Sequence, residues 1–267
     1  MNFSLRGAWL CHTGRARQRN EDACLAAGVL SSGSDALPQL IRADEAPWLV
    51  AVSDGIGGHQ AGATASRAVV EALADCQRIT PAKIGGILQR LNQELFERGS
   101  KEPEFEGMGA TVAGLGCGSQ GLFAFNVGDS RVYRIEEEQL RQITRDDSEA
   151  EELREMGLLS VADDLRPGSL HALTQAVGGR TELTEIEVHF HPLKVQERAR
   201  FLICSDGLTD MAGRTAIGEI LIRENAPERV AEALFNLAMD AGGLDNITLA
   251  VVDVERPSRS RRDSGQS

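Results

Sequence analysis

Short apolar runs that end in an acidic residue recur along this chain. The run over 48–53 is apolar or β-branched at nearly every position and leads into Asp54 and a glycine-rich turn. A second run, over 200–204, leads into Ser205, Asp206 and another glycine. Continuous apolar runs of this length indicate strands buried on both faces. Two such strands, each presenting a carboxylate at its end, predict one shared cation site.

Other segments have helical or strand-like spacing of their apolar residues. Helical spacing over 61–76, 81–97 and 227–241 predicts three amphipathic helices, the last two beginning at a proline. Four short runs between the second and third helices are separated by polar turns, which is typical of an antiparallel meander. These runs cover 109–115, 121–128, 131–135 and 139–143.

The order of these elements predicts an α+β fold, in which two facing antiparallel sheets form a β-sandwich flanked by pairs of helices. Further strands are predicted over 5–13, 23–29, 184–191 and 246–254, and 31–47 is predicted to be a surface loop. A doubly wound parallel sheet fits less well because the meander lacks intervening helices. Residues 1–255 are predicted to form one domain, and the basic segment 256–267 to be a disordered tail.

Composition narrows the classes of partner. The formal net charge of −12 disfavours binding to nucleic acid or to an anionic membrane. The five cysteines are odd in number and scattered, which favours reduced thiols in a cytoplasmic protein over disulfides or zinc. No apolar run approaches the roughly 20 residues of a membrane span. We therefore expect a cytoplasmic monomer without membrane insertion.

Further acidic residues lie at predicted strand ends: Glu21, Asp22, Asp129 and Asp245. Crowded carboxylates repel one another unless a cation neutralises them, and hard oxygen ligands favour Mg²⁺ or Mn²⁺. Two such ions about 3.5–4 Å apart can share one carboxylate. Arg17 is suited to an anionic substrate, since guanidinium binds phosphate through several donors. A single Asp-Gly is more often a turn, so the prediction depends on the whole ordered set.

The ordered set resembles the motifs of the metal-dependent type 2C (PPM) serine/threonine protein phosphatases, in particular the bacterial single-domain members. The resemblance covers about residues 7–254. Its six motifs are Arg17-x-x-Asn20-Glu21-Asp22, Val52-Ser-Asp54-Gly55-Ile-Gly57-Gly58-His59, Met108-Gly109-Ala-Thr111, Val127-Gly128-Asp129-Ser130-Arg131, Cys204-Ser-Asp206-Gly207-Leu208-Thr-Asp210 and Asp245-Asn246-Ile-Thr248.

The resemblance implies a two-metal site at one edge of the sandwich, holding Mn²⁺ or Mg²⁺. Asp54 would bridge the two ions, and the Gly55 carbonyl would ligate one of them. A hydroxide held between the ions would attack phosphorus in line. The remaining roles implied by the resemblance are ligation of the other ion by Asp206 and Asp245, binding of a third, weaker ion by Asp129 with Asp206, an outer-shell or metal-water role for Glu21 and Asp22, and a phosphate clamp for Arg17.

The implied substrates are phosphorylated proteins, namely targets of a eukaryote-like Ser/Thr kinase. The alternative is a regulatory module of the same fold that binds a partner with little or no catalysis. Degenerate members would be expected to lose carboxylates, and Asp54, Asp206 and Asp245 are all present. A relative acting on a phosphorylated anti-sigma-factor antagonist would be expected to lack the arginine, and Arg17 argues against it.

Three departures from the family pattern bear on the chemistry. Ile56 stands where some relatives carry a general-acid histidine, and Asp147 stands where relatives usually have histidine. The segment 156–171 corresponds to a variable flap beside the site.

His189 and His191 are interpreted as surface residues of a strand.

Overall fold

The computed structural model describes residues 3–35, 37–159, 172–180 and 182–256. This part of the chain forms fifteen strands and six α-helices. The strands are β1 (Ser4–His12), β2 (Ala23–Ala26), β3 (Val29–Ser31), β4 (Gln39–Ala43), β5 (Trp48–Ser53), β6 (Gly55–Ile56), β7 (Gly109–Ala110), β8 (Val112–Gly118), β9 (Gly121–Val127), β10 (Arg131–Glu136), β11 (Gln139–Gln142), β12 (Val177–Gly178), β13 (His189–Leu193), β14 (Arg198–Cys204) and β15 (Ile247–Glu255). The helices are α1 (His59–Ala74), α2 (Pro81–Lys101), α3 (Glu149–Glu155), α4 (Asp206–Thr209), α5 (Arg214–Arg223) and α6 (Pro227–Asp240).

Two six-stranded antiparallel sheets face each other, as the sequence predicted. One has the order β11-β10-β14-β15-β1-β4, and the other has the order β13-β9-β8-β5-β2-β3. Both contribute to a single apolar core, in which Trp9 and Phe201 of the first sheet meet Val50 and Leu115 of the second. The β-sandwich class is therefore confirmed.

Helix pairs cover the outer faces of both sheets. Leu49 and Ala51 of β5 point away from the central core and pack with α1 and α2. Leu249 and Val251 of β15 pack in the same way with α5 and α6. Successive strand residues face opposite sides, so strands buried on both faces read as the continuous apolar runs seen in the sequence.

Some element boundaries differ from the prediction. The segment 31–47 is not loop throughout, because β4 pairs with β1, with Leu5 opposite Ala43. Only Ile41 of β4 is fully buried, which explains why the segment lacks an apolar run. The strand predicted over 184–191 begins later, at His189. Helix α5 was not predicted, and residues 257–267 of the proposed tail lie outside the described residues.

A third, three-stranded sheet of order β12-β7-β6 was not predicted either. Each of its strands has two residues, too few for a periodic pattern. Its strand β6 begins directly after Asp54, and β5 ends directly before it. Strand pairing therefore fixes the backbone on both sides of Asp54. Among the described helices, none combines the length and apolar character needed to cross a bilayer.

Candidate metal centre

One edge of the sandwich carries the acidic residues that the sequence predicted for a cation site. Asp54 follows β5, whose last residue pairs with the first residue of β2, directly after Asp22. Asp206 follows β14, whose last residue pairs with Leu249 near the start of β15. Because antiparallel pairing places the end of one strand beside the start of the next, segments distant in sequence converge there.

Thr111 fixes the backbone of Asp54. The Thr111 amide donates to the Asp54 carbonyl (2.8 Å), and the Asp54 amide donates to Thr111 Oγ1 (3.2 Å). Ser53 Oγ donates to the Thr111 carbonyl (2.6 Å), and Thr111 Oγ1 lies 2.7 Å from Ser130 Oγ. These bonds connect the Asp54 turn to the turn that carries Asp129.

The carboxylates of Asp22, Asp54 and Asp206 form one connected group. Hydrogen bonds join Asp54 to both Asp22 and Asp206. Ser205 Oγ donates to Asp22 Oδ2 at 2.8 Å. The other oxygen of Asp22, and Oδ1 of Asp206, are buried without a hydrogen-bond partner. Buried polar atoms are normally satisfied, so these two oxygens mark a place where the protein alone does not complete the bonding.

Burial raises the pKa of each carboxyl in this group. For Asp54, desolvation comes first, followed by the charges of Asp22 and Asp206. Burial likewise raises the pKa of Asp129, with the Asp206 charge adding to it. The negative charges therefore oppose one another in the folded protein, and a bound cation would relieve that repulsion.

The donor set fits Mg²⁺ or Mn²⁺. All donors are oxygens, which these ions prefer, and the two unpartnered oxygens of Asp22 and Asp206 are free to ligate. No three histidine, cysteine or carboxylate side chains within the described ranges already have the geometry of a metal-ligand set.

Close backbone packing positions Gly55 and Glu21. A Cβ at Gly55 would overlap the Gly62 carbonyl of α1 and the Glu21 carbonyl, and a Cβ at Gly62 would overlap Glu21 Oε2. Ser66 Oγ of α1 donates to the Glu21 carbonyl at 2.5 Å. Glycine is required at both positions because a side chain would separate α1 from the acidic edge.

Arg17 lies at the same edge, paired with another predicted site residue. Its Nη2 is 2.7 Å from Asp245 Oδ2, and its side chain is 51% exposed. The predicted phosphate clamp and a predicted metal ligand are therefore adjacent. The remaining oxygen, Asp245 Oδ1, accepts the Asn246 amide at 2.8 Å.

One acidic residue near the centre was not predicted as a site residue. The charge of Asp210 raises the pKa of both Asp206 and Asp129. Its amide donates to the Asp206 carbonyl at 2.8 Å, which places it one turn after Asp206. The signal was present, because Asp210 lies within the motif that carries Asp206.

The structure corrects the interpretation of His189 as a surface residue, while His191 is half-buried. His189 Nε2 lies 2.8 Å from Asp147 Oδ1, and its side chain is 15% exposed. His191 Nε2 is buried without a partner. Their strand lies at the edge of its sheet, but the edge is covered by the segment around Asp147. Strand alternation alone could not show this.

The side chain of Asp147 stabilises the turn that carries Asp129, through a hydrogen bond from the Gly128 amide. Its Oδ2 accepts the Gly128 amide at 2.7 Å and Gln175 Nε2 at 2.8 Å, while Oδ1 faces His189. The side chain is 4% exposed. Both oxygens are thus engaged away from the acidic edge, so Asp147 stabilises the turn and is not placed to transfer a proton to a substrate.

We expect His189→Gln to destabilise the protein more at pH 6 than at pH 8.5. The hydrogen bond to Asp147 raises the pKa of His189 above its ordinary 6.5, so the folded state binds the proton more tightly. This stabilisation is fully present below pH 6.5 and is lost as the pH rises through the raised value. A loss of about 1 kcal/mol at pH 6 would lower Tm by about 2–4 °C.

The matched control is His191→Gln. Burial lowers the pKa of His191, so protonation of that ring costs stability at low pH, and its replacement should be less harmful at pH 6 than at pH 8.5. Thermal melts of both variants at the two pH values measure the opposite trends. An equal loss for His189→Gln at both pH values would contradict a charged pair.

A β-sandwich with convergent carboxylates at one edge is the arrangement that the sequence motifs implied for a metal-dependent phosphatase. A family model described as Protein phosphatase 2C matches residues 31–237. The serine/threonine phosphatase stp of Listeria monocytogenes is 34% identical over 260 residues, 93% of this chain and 95% of that protein. The chain belongs to the protein phosphatase 2C family, and the resemblance inferred from the motifs is confirmed.

Solved structures agree with this assignment. The catalytic domain of the serine/threonine protein phosphatase PstP, in complex with two manganese ions, has a TM-score of 0.75 and 30% identity, with 95% of this chain and 100% of that chain covered. PppA, a regulatory component of the type VI secretion system in Pseudomonas aeruginosa, has a TM-score of 0.71 and 30% identity, with 93% and 98% covered.

Proposed function

We propose that this protein hydrolyses phosphoserine and phosphothreonine in phosphorylated proteins with the help of Mn²⁺ or Mg²⁺. The observation that carries the proposal is the adjacency of two features at one edge. Carboxylates there include two buried oxygens without partners, on Asp22 and Asp206. The half-exposed guanidinium of Arg17 pairs with Asp245 at the same edge. The first feature suits cations, and the second suits a phosphate monoester.

The acidic residues divide into those proposed to hold the core ions and those proposed to act around them. Asp54, the Gly55 carbonyl, Asp206 and Asp245 would hold two ions, and Asp129 with Asp206 would hold a third. Glu21 and Asp22 would act through the outer shell. When bound, the ions would neutralise the carboxylates and supply Lewis-acid activation of water.

The chain's own residues bind and orient the substrate. Arg17 is exposed enough to reach a phosphate and is held at the edge by Asp245. Ile56 has no proton to donate, and the carboxylate oxygens of Asp147 are hydrogen-bonded to the Gly128 amide and to His189. The protein side chains at these two positions therefore provide no general acid for the leaving oxygen.

The test is hydrolysis of a phosphothreonine peptide by the purified protein with Mn²⁺, followed by removal of the ion with a chelator. We expect turnover that the chelator abolishes and that Mn²⁺ restores. A folded sample that binds Mn²⁺ but releases no phosphate would support the regulatory module instead. Chelator-resistant turnover would contradict the proposed role of the carboxylates.

We expect Arg17→Ala to raise KM for the phosphopeptide about tenfold while metal affinity changes little. The loss of one charge-assisted contact corresponds to about 1.5–3 kcal/mol, and tenfold corresponds to about 1.4 kcal/mol. Steady-state kinetics and Mn²⁺ titration measure the two effects. Arg42→Ala is the control, because Arg42 is exposed and pairs with the exposed Asp44. An equal loss of metal binding would show that Arg17 acts on Asp245 and not on substrate.

We further propose that 1–255 forms one catalytic domain, that the protein is a cytoplasmic monomer, and that its substrates are targets of a eukaryote-like Ser/Thr kinase. The relatives named serine/threonine phosphatase support the substrate class. Gel filtration of the purified chain tests the monomer.

A further inference from the structure

Asn246 connects both ends of the loop that carries Arg17. Its Nδ2 donates to the Thr13 carbonyl (2.9 Å) and to the Arg19 carbonyl (3.0 Å). Its Oδ1 accepts the Glu21 amide at 2.7 Å. The side chain is buried, with 4% exposed. One side-chain amide thus joins the two ends of the loop over 13–19 and also holds the backbone of Glu21, two residues further on.

The loop also packs directly on the turn that precedes Asn246. The amides of Arg15 (2.8 Å) and Ala16 (3.3 Å) both donate to the Gly243 carbonyl. Gly14 has a φ of +78° and leaves no room for a Cβ, which would overlap the Asp245 carbonyl. His12 Nδ1 accepts the Gly14 amide at 2.9 Å. The loop and the turn over 243–246 therefore form one packed unit.

The chemistry of the contacts selects asparagine. The two backbone carbonyls of Thr13 and Arg19 need two hydrogen-bond donors, and the backbone amide of Glu21 needs an acceptor. A side-chain amide supplies two N–H donors and one oxygen acceptor in one plane. An aspartate would place negative charge against two carbonyl oxygens. A serine would offer one donor and would not reach both carbonyls.

We infer that Asn246 is a positioning residue for phosphate recognition. It holds the Arg17 loop against Asp245, so the Arg17 guanidinium is presented at the acidic edge before substrate arrives. A long, half-exposed arginine on an unanchored loop would have to be ordered on binding, which weakens affinity. The inference rests on the proposed function, since it takes Arg17 as the phosphate-binding residue.

The kinetic test compares Asn246→Ala with Arg17→Ala and with the double variant. We expect Asn246→Ala to raise KM for the phosphothreonine peptide about tenfold and to change kcat less than about threefold. The double variant should be no worse than Arg17→Ala alone, because both changes remove the same contact. Additive effects would overturn the inference, since Asn246 would then act apart from Arg17.

The matched control is Asn126→Ala. Asn126 is also fully buried, and its Nδ2 also donates to two carbonyls, those of Gly128 (3.2 Å) and Arg145 (2.5 Å). It lies beside the Asp129 turn and not beside the Arg17 loop. We expect a comparable loss of Tm, a changed dependence of turnover on Mn²⁺ and an unchanged KM for peptide at saturating Mn²⁺. A tenfold rise in KM for Asn126→Ala would overturn the inference, because the effect would then not depend on anchoring of the Arg17 loop.

Hydrogen exchange separates failure of this inference from failure of the proposed function. In Asn246→Ala, the amides of Arg15, Ala16 and Glu21 should lose protection, and in Asn126→Ala they should not. This readout needs no turnover, so an inactive wild-type protein would refute the phosphatase proposal while the loop-anchoring claim is still measured. Unchanged protection in Asn246→Ala would overturn the anchoring claim.

Gly14→Ala provides a second variant if Asn246→Ala does not fold. It disturbs the packing of the same loop on the turn over 243–246, through the positive φ and the overlap with the Asp245 carbonyl. We expect the same rise in KM and the same loss of protection. Normal KM with lost protection would overturn the inference, because the loop position would then not matter for substrate.

Discussion

Asp206→Asn is expected to lower kcat for a phosphothreonine peptide on the order of 10³-fold, the size seen when a direct transition-state charge contact is removed. Asp206 interacts with several of the other carboxylates at the edge. It is hydrogen-bonded to Asp54, its charge raises the pKa of Asp129, and its Oδ1 is buried without a partner. The amide keeps the shape and removes the charge that would bind a cation.

The same substitution should not destabilise the metal-free protein. Burial and the neighbouring charge of Asp210 raise the pKa of Asp206, which means that its ionised form is disfavoured in the fold. Removing that charge relieves repulsion at neutral pH. Tm measured with chelator should therefore hold or rise while activity is lost, and this combination distinguishes a metal ligand from a structural residue.

The matched control is Asp44→Asn, which makes the same change at an exposed residue paired with Arg42. It should leave kcat within about twofold. If Asp206→Asn retained wild-type turnover at every Mn²⁺ concentration, Asp206 would not be a ligand. If it lost both activity and folding, the residue would be structural.

Asp253→Ala is expected to cost about 3–5 kcal/mol of unfolding free energy, the typical effect of breaking a buried ion pair. Asp253 is 3% exposed on β15. Its Oδ1 accepts Arg200 Nε (2.8 Å), and its Oδ2 accepts Arg200 Nη2 (2.9 Å) and Arg198 Nη2 (2.6 Å). Without Asp253, the 12%-exposed Arg200 side chain would lose its carboxylate.

Arg200 also ties the sheet to the connection between α5 and α6. Its guanidinium donates to the carbonyls of Leu221 (3.1 Å), Glu224 and Asn225 (2.6 Å). Thermal melts should show Tm lowered by about 6–20 °C, since about 2–4 °C corresponds to 1 kcal/mol for a domain near this size. Catalysis at a permissive temperature should be nearly unchanged, because Asp253 lies about 20 Å along β15 from Ile247, at the end of the strand nearest Asp245.

Arg198→Ala is the control for this prediction. Arg198 contacts the same carboxylate, but its side chain is 56% exposed, so its loss should cost no more than about 1 kcal/mol. Equal destabilisation by Asp253→Ala and Arg198→Ala would contradict a buried pair dominated by Arg200.

Strong local patterns accounted for most of the correct fold predictions. Strand β5 and the last four residues of β14 are buried on both faces, so they form nearly continuous apolar runs that are visible in the sequence. Helix α2 was visible because its first residue is proline after a Thr80 cap that accepts the Lys83 amide and its apolar residues follow one face. Elements with weaker patterns, such as β4 and the two-residue strands of the small sheet, were missed.

The sequence by itself determined which residues could form the centre, because Asp54, Asp129, Asp206 and Asp245 each follow or precede a recognisable strand at a glycine or turn residue. It also determined the family, through six motifs in fixed order. Only the tertiary structure decided how these residues are connected: that Arg17 pairs with Asp245, that Asn246 anchors the Arg17 loop, and that Asp147 faces His189 and the Gly128 turn. The physical reason is that each of these contacts joins segments far apart in the chain, and strand pairing places them together without any local pattern that records the partner.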